Sequence, residues 1–242
     1  MKRLFPFLLF LLPLVVSAGT LHFPYNPTLS PDAKTIYFSY DGDIFNVPAE
    51  GGMAMRFVSL GAIESHPKVS PDGKWVAFAS NIQGNYDIYV VPTAGGEVQR
   101  LTWHEANDYP SGWSADSRNI YFETNRANTR TTYKVAISGG TPKRLFENYF
   151  NTITNVVENP ATGEIYFNES GEAFNFPTRK RYVGDHNINV KSWNPATGEY
   201  KELTSYQGKD TWPMVDREGN LYYVTDQFNQ ESNIAKHSAG AA

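Results

Sequence analysis

Three Ser-x-Asp segments carry the residues that most resemble catalytic groups, at Ser30 and Asp32, Ser70 and Asp72, and Ser114 and Asp116. A serine hydroxyl and a carboxylate are two of the three groups that a hydrolytic triad requires. These segments, however, recur at one position of a repeated sequence, and no G-x-S-x-G nucleophile motif is present. The pattern therefore predicts a turn in each repeat and no catalytic residue in this chain.

Two further segments resemble metal-binding motifs but lack essential parts of them. His104-Glu105 is not followed by the second histidine that a zinc-peptidase helix needs. Asp41-Gly42-Asp43 is too short for a calcium loop, which places oxygen ligands at several alternate positions. The five histidines share no ligand spacing, and no phosphate-binding glycine loop precedes a helix. We expect neither a metal nor a cofactor.

The repeat around these segments has a period of about 44 residues. Gly-Gly pairs stand at Gly51, Gly95 and Gly139, and an Arg-apolar pair follows each of them at Arg56, Arg100 and Arg144. Each unit also contains runs rich in β-branched and aromatic residues, separated by turn-forming Pro, Asp and Gly. Such a unit reads as four short antiparallel strands, which is typical of one blade of a β-propeller.

The whole chain therefore indicates an all-β fold, a propeller with about five visible blades that form part of a six-bladed ring. The 242 residues divide into a signal peptide and one propeller domain, with the fifth blade lacking its last strand. The predicted boundaries are 1–18 for the signal peptide and 19–242 for the propeller, with blades near 20–60, 61–104, 105–150, 151–206 and 207–242.

Composition excludes several other classes of protein. The net charge is −4 and basic residues form no continuous face, so nothing indicates nucleic-acid binding. The chain has no cysteine, which excludes disulfides, thiol catalysis and thiolate metal sites. The many aromatic residues, 15 Tyr and 15 Phe, suit short packed strands.

The first 18 residues have the pattern of a secretion signal. Lys2 and Arg3 are followed by an apolar run from Leu4 to Val16, and Ser17-Ala18 provides small residues for cleavage. An uncleaved anchor is the alternative, although the run is short for a membrane span. We expect an exported protein, periplasmic or secreted, that has no membrane contact after the signal is cleaved.

The segments that connect successive blades contain the best candidates for binding. They come just before the predicted innermost strand of a blade, so their polar side chains should meet at one mouth of the central channel. There they could bind peptides or a protein partner, although ordinary solvated loops would have the same composition. The candidate residues are His66, His104, Glu105, Asn107, Asp108, Lys209 and Asp210.

The repeats resemble the exported propellers that carry Ser-Pro-Asp-Gly turns, which include TolB and the N-terminal propeller of tricorn-type serine peptidases. Residues 39–45, 101–110 and 203–214 look like the first propeller of tricorn homologues. TolB would instead place an α/β domain before its propeller, and no helical period lies between Ala18 and Pro27. The resemblance covers nearly the whole chain after the signal.

This resemblance implies a role without chemistry of its own. In the tricorn family the first propeller is followed by a second propeller, a PDZ-like domain and a serine-peptidase core, so none of the family's catalytic residues has a counterpart here. The chain would bind or gate peptides for peptidase domains of the same or an adjacent chain. A stand-alone TolB-like scaffold for protein interactions is the alternative, and an enzyme with a site in the channel is a weaker third.

Overall fold

The computed structural model describes residues 21–127, 129–147, 152–169, 184 and 187–237. These residues form nineteen β-strands and no helix. The predicted signal peptide, residues 1–18, lies outside the described part, as does most of the longer segment within the fourth repeat.

The strands form five antiparallel sheets in chain order, each one a blade. The bounds for blades one to three are β1 (Tyr25–Leu29), β2 (Thr35–Tyr40), β3 (Asp43–Pro48), β4 (Met55–Val58), β5 (Glu64–Val69), β6 (Trp75–Ser80), β7 (Asp87–Pro92), β8 (Gln99–Arg100), β9 (Asp108–Trp113), β10 (Asn119–Thr124), β11 (Thr131–Ala136) and β12 (Lys143–Arg144). Blades four and five contain β13 (Ile153–Glu158), β14 (Ile165–Glu169), β15 (Val190–Trp193), β16 (Tyr200–Glu202), β17 (Asp210–Val215), β18 (Leu221–Thr225) and β19 (Asn233–Lys236).

Sheet order follows chain order in every blade, and successive first strands pack side by side. β5 packs on β1, β9 on β5, β13 on β9 and β17 on β13. The first strand of each blade is therefore its innermost strand. The all-β propeller with five blades is confirmed, and the fifth sheet has three strands among the described residues.

Each Ser-x-Asp segment forms the turn between the first two strands of a blade. In the second blade Ser70 Oγ donates to Asp72 Oδ1 at 2.6 Å and accepts from the backbone N–H of Trp75 at 3.0 Å. The same pair of contacts occurs at Ser30 and at Ser114. Each hydroxyl and carboxylate thus holds backbone of its own turn.

The repeated arginines also have a structural role. Arg100 reaches back to Asp87 at the start of β7, with Nη2 and Oδ2 2.6 Å apart, and Arg56 makes the same pairing with Asp43 at 3.0 Å. A cation on the last strand of a blade thereby neutralises a carboxylate on the third. This pairing accounts for Arg56 and Arg100. It does not account for Arg144, because Thr131 stands in blade three where Asp43 and Asp87 stand in the first two blades.

Four hydrophobic clusters lie between successive blades. The cluster between the first and second contains Val76 and Phe78, and the cluster between the second and third contains Ile88 and Phe122, all with no exposed surface. The other two clusters join the third blade to the fourth and the fourth to the fifth. Within the described residues, none joins the fifth blade to the first.

Candidate functional site

The innermost strands share an irregularity that shapes the inner edge of the propeller. The strand register breaks after the first residue of β1 and after the second residue of β5, β13 and β17. One residue at each break adopts a left-handed backbone: Asn26 (φ 50°), His66 (φ 56°), Asn155 (φ 56°) and Trp212 (φ 50°). Such bulges redirect a side chain locally and are common next to functional sites.

The blade-three strand β9 departs from this pattern. Its register breaks between Pro110 and Gly112, which leaves Ser111 as the extra residue. The Cβ of any residue replacing Gly112 would lie 3.3 Å from the carbonyl oxygen of Val156 on β13, so this position favours glycine. The close approach of β9 and β13 therefore depends on Gly112.

An aromatic and charged group of residues fills the inner edge between blades two and three. We call His66, Tyr86, Tyr109, Glu123 and Arg130 the inner cluster. The ring centroid of Tyr109 lies 5.0 Å from that of His66 and 5.0 Å from that of Tyr86. The guanidinium of Arg130 lies 5.4 Å from the Tyr109 centroid, a cation–π distance. Tyr109 is thus the centre of the cluster.

Glu123 connects the inner cluster to the fourth blade. Its Oε2 accepts from Arg130 Nε at 3.0 Å, and its Oε1 accepts from the backbone N–H of Asn155 at 2.9 Å. The amide nitrogen of Asn155 then donates to Asn168 Oδ1 at 3.1 Å. These bonds attach the bulge of β13 to the second strand of blade three and to the second strand of its own blade.

His66 is neutral near pH 7. Burial lowers the pKa of its imidazole to about 4, and the positive charges of Lys68 and Arg130 act in the same direction. Its Nδ1 lies 3.0 Å from Ser65 Oγ. Burial also raises the pKa of the Tyr109 hydroxyl, so the aromatic centre of the cluster carries no charge.

His104, Glu105 and Asn107 lie on the exposed connection from blade two to blade three. The carbonyl of His104 accepts from Asn85 Nδ2 at 2.9 Å, and Asn107 Oδ1 accepts from the backbone N–H of Tyr86 at 3.0 Å. Two of the predicted residues therefore attach this connection to the loop beside the inner cluster. Glu105 is exposed.

Asp108 opens β9 and is buried. Its Oδ2 pairs with Arg126 Nη2 at 2.5 Å, and the side chains of Asp108 and Arg126 are 0% and 10% exposed. The guanidinium of Arg126 also lies over the rings of Phe122 and Tyr133. This arrangement is that of a structural ion pair, because both groups already have close partners.

Lys209 and Asp210 lie at the start of the fifth blade and are buried there. The backbone N–H of Lys209 donates to Asp226 Oδ1 at 2.9 Å. Burial raises the pKa of Asp210, which accepts from the hydroxyls of Thr204 and Thr225. The structure thus places the seven predicted residues in two places, five around the connection from blade two to blade three and two at blade five.

Sequence reasoning missed most of the inner cluster, namely Tyr86, Tyr109, Glu123 and Arg130. The sequence did contain a signal for Tyr109, because Tyr109 precedes Pro110 as the predicted residue His66 precedes Pro67 in the preceding repeat. Glu123 and Arg130 had none, since they lie on and after the second strand of blade three, where no repeat position stands out.

The described residues also contain a pocket of about 280 Å³ between blades three and four, lined among others by Lys134 and Trp193. Tyr121 Oη donates to Glu158 Oε2 at 2.5 Å beside it. Across the described ranges, no three His, Asp or Glu side chains are placed to hold a metal ion, and no helix could span a membrane.

A family model for the tricorn protease N-terminal β-propeller domain matches residues 23–240. The chain belongs to this family. The match begins just before β1 and ends after β19, so it covers all five blades. A comparison with curated proteins gave no match.

Solved structures of several propellers are similar to this tricorn-family propeller. A putative TolB from Agrobacterium tumefaciens has a TM-score of 0.69 at 20% identity, over 84% of this chain and 69% of that one. TolB from Acinetobacter baumannii has a TM-score of 0.63 at 22% identity, over 88% of this chain and 51% of that one. The tricorn protease has a TM-score of 0.71 at 18% identity, over 90% of this chain and 21% of that one. At these identities the similarity shows the fold alone, and the chain spans about a fifth of the tricorn protease.

Proposed function

We propose that this chain is the N-terminal propeller portion of an exported tricorn-like serine peptidase, which binds or gates peptide substrates and performs no chemistry itself. The family match over residues 23–240 carries the proposal. Its partners are peptides and the peptidase domains of the same or an adjacent chain. Neither nucleic acid nor, after signal cleavage, a membrane is among them.

The chemistry of the inner cluster supports peptide binding. Tyr109, Tyr86 and the neutral His66 provide flat aromatic surfaces at the inner edge. The side-chain amide of Asn26 on the innermost strand β1 can bond to a peptide backbone. A peptide is a suitable ligand for a lining that alternates aromatic faces with polar groups.

The open faces of blades one and five support a six-bladed ring. Leu29 on the outward face of blade one is 51% exposed, and Met214 and Ile234 on that of blade five are 39% and 71% exposed. Apolar faces of this kind are normally covered in a propeller. One further four-stranded blade between them would bury both, and we propose that it completes the ring.

We further propose export to the periplasm or outside the cell, with residues 1–18 removed as a signal peptide and 19–242 forming the propeller domain. Amino-terminal sequencing of the protein isolated from its host tests this. The expected mature chain begins at Gly19. A mature chain that begins at Met1 would overturn the proposal of cleavage.

A stand-alone TolB-like scaffold for protein interactions is the second candidate. The similarity to two TolB structures favours it, at TM-scores of 0.69 and 0.63. The two candidates differ in what they bind: the gating role requires affinity for short peptides at the inner edge, whereas the scaffold role requires a folded partner on the outer surface.

Peptide binding to the purified chain tests the proposed function. Fluorescence anisotropy with a pool of labelled hexapeptides should show saturable binding that Tyr109→Ala weakens about tenfold, the effect of losing a central aromatic contact. Tyr200→Ala is the matched control, because Tyr200 is an exposed tyrosine on blade four, away from the cluster. If no peptide binds, or if both variants weaken binding equally, the gating proposal fails. Thermal melts confirm that each variant is folded.

A further inference from the structure

One layer of side chains distinguishes the interface of blades three and four from the other blade interfaces. The layer consists of a residue on the second strand of a blade, the residue paired with it on the third strand, and the last residue of the next blade's innermost strand. Between blades three and four these residues are Tyr121, Lys134 and Glu158, two of them charged. In the other interfaces of the described residues the same positions are uncharged: Tyr37, Asn46 and Val69; Ala77, Val90 and Trp113; and Tyr166, Ser192 and Val215.

The charged layer leaves space where the preceding interface is filled. Between blades two and three, Trp113 packs in one cluster with Ala77 and Val90, and its Nε1 donates to the carbonyl of Lys68 at 2.9 Å. Glu158 takes the position of that tryptophan in the next interface, which contains a cavity of about 280 Å³. Charged groups between packed blades are unfavourable for stability, so their occurrence in a single interface indicates a role other than packing.

Two polar groups that line this cavity can still form hydrogen bonds. Glu158 Oε2 accepts from the hydroxyl of Tyr121, which stays protonated because burial raises its pKa. Within the described ranges, Glu158 Oε1 accepts no hydrogen bond, and the half-buried ammonium of Lys134 forms neither an ion pair nor a hydrogen bond. The cavity therefore offers one acceptor and one donor group to a ligand.

The rest of the lining favours an uncharged ligand. Lys134 and Arg144 are positive and Asp116 and Glu158 are negative, so the charged residues of the lining balance formally near pH 7. The half-buried ring of Trp193 adds a flat apolar face. A neutral molecule that has both hydroxyl groups and a C–H face matches this combination better than an anion or a cation does.

We propose that the cavity between blades three and four binds one sugar ring, with Glu158 accepting from its hydroxyls, Lys134 donating to them and Trp193 contacting its C–H face. The volume of about 280 Å³ suits a ligand of this size, because pockets for larger, drug-sized molecules measure roughly 300–1,000 Å³. The site shares no residue with the inner cluster, so this inference does not depend on the proposed binding of peptides.

NMR titrations of the purified chain with small ligands test the proposal. The sugars are glucose, galactose, mannose and N-acetylglucosamine, and the charged probes are glycine and inorganic phosphate. We expect saturable binding of at least one sugar at millimolar concentration and no saturable binding of either charged probe. Absence of sugar binding, or saturable binding of glycine or phosphate at this cavity in place of a sugar, would overturn the inference.

Variants of the lining locate the binding. Lys134→Met and Glu158→Gln should each weaken sugar binding about tenfold, the effect of losing a charged hydrogen-bonding partner, and the glutamine keeps an oxygen for Tyr121. Lys143→Met is the matched control and should bind normally, because Lys143 is the exposed lysine paired with Lys134 across β11 and β12. Sugar binding that survives both lining variants, or that Lys143→Met weakens equally, would contradict the proposal. Thermal melts confirm folding, and hexapeptide binding should be the same in all three variants.

Discussion

The interface between blades two and three differs sharply from the outward faces of blades one and five. In the interface Phe122 and Ile88 are fully buried, and the inner cluster closes its inner edge. On the outward face of blade one, Leu29 stands in register with Ile36 and Val47 and remains half exposed. The equivalent positions of blade two, Val69, Val76 and Val91, pack against blade one.

This difference shows that each blade has two apolar faces and that its sequence assumes a neighbour on both. Blades two, three and four have those neighbours in the described structure, whereas blades one and five have one each. The inner cluster lies where two such faces meet, between blades two and three. The predictions below test how strongly the two kinds of face differ.

The largest expected effect comes from deleting a side chain of the closed interface. Phe122→Ala should lower the free energy of unfolding by about 3–5 kcal/mol, because it removes a fully buried ring and leaves a cavity. Ile234→Ala on the open face should change it by less than about 0.5 kcal/mol, since the side chain is 71% exposed. Urea denaturation measures both. Equal costs would mean that the open face is covered in solution.

The next largest difference should be between the buried ion pair Asp108–Arg126 and the exposed ion pair Asp43–Arg56, in what each contributes to the free energy of unfolding. Arg126→Met leaves the fully buried carboxylate of Asp108 without its cation and should cost about 3 kcal/mol. Arg56→Met is the matched control, because Arg56 is 62% exposed in its pair with Asp43 and should contribute at most about 1 kcal/mol. Denaturation at pH 7 compares the variants. A cost above 2 kcal/mol for Arg56→Met would contradict this assignment.

His66 should make the closed interface sensitive to acid. Its pKa is about 4 in the folded chain and 6.5 ordinarily, so the unfolded chain takes up the proton first as the pH falls. The stability that depends on neutral His66 is complete above pH 6.5 and is lost between pH 6.5 and 4, by about 1–3 kcal/mol.

The contribution of His66 is isolated by subtraction, because Glu64, Asp87 and Asp210 have raised pKa values and act in the opposite direction over part of this range. The stability of the wild type minus that of His66→Gln, measured by denaturation at each pH, should fall toward acid. A difference that stays constant from pH 7 to 4.5 would show that His66 is solvated as in the unfolded chain.

The smallest effect should come from the turns. Ser70→Ala removes a hydroxyl that bonds both Asp72 and the backbone of Trp75, and it should cost about 1 kcal/mol. Ser30→Ala, in the equivalent turn of the open-faced blade one, should cost less, because Asp32 and its surroundings are more exposed. Thermal melts compare the two, and peptide affinity should be unaffected by either. A loss of binding on Ser70→Ala would reveal a role beyond the turn.

Much of the fold was predictable because the same pattern of strands and turns occurs in several successive repeats. The Gly-Gly pairs, the Ser-x-Asp turns and the recurring arginines identified the blades, and the short third sequence element at Asn233–Lys236 identified the incomplete fifth sheet. The hydrogen bonds of Ser70 and the Asp87–Arg100 pair then gave these markers a physical reason.

The site was predictable only in part, because its residues come from different positions of different repeats. His66 and Asp108 were identified from their place before or within an innermost strand. Arg130 and Glu123 were not, since their relation to Tyr109 depends on how two blades pack. Lys209 and Asp210 were expected at the same mouth, and the structure places them at blade five with their own buried partners.

The most direct test of the central claim is the coding sequence that follows the codon for Ala242. The account predicts about 40–45 further codons that specify one more four-stranded blade, whose faces would cover those of blades one and five, followed by the domains of a serine peptidase. A stop codon followed by unrelated sequence, with no peptidase gene adjacent, would contradict both the six-bladed ring supplied by this chain and its role in gating peptides.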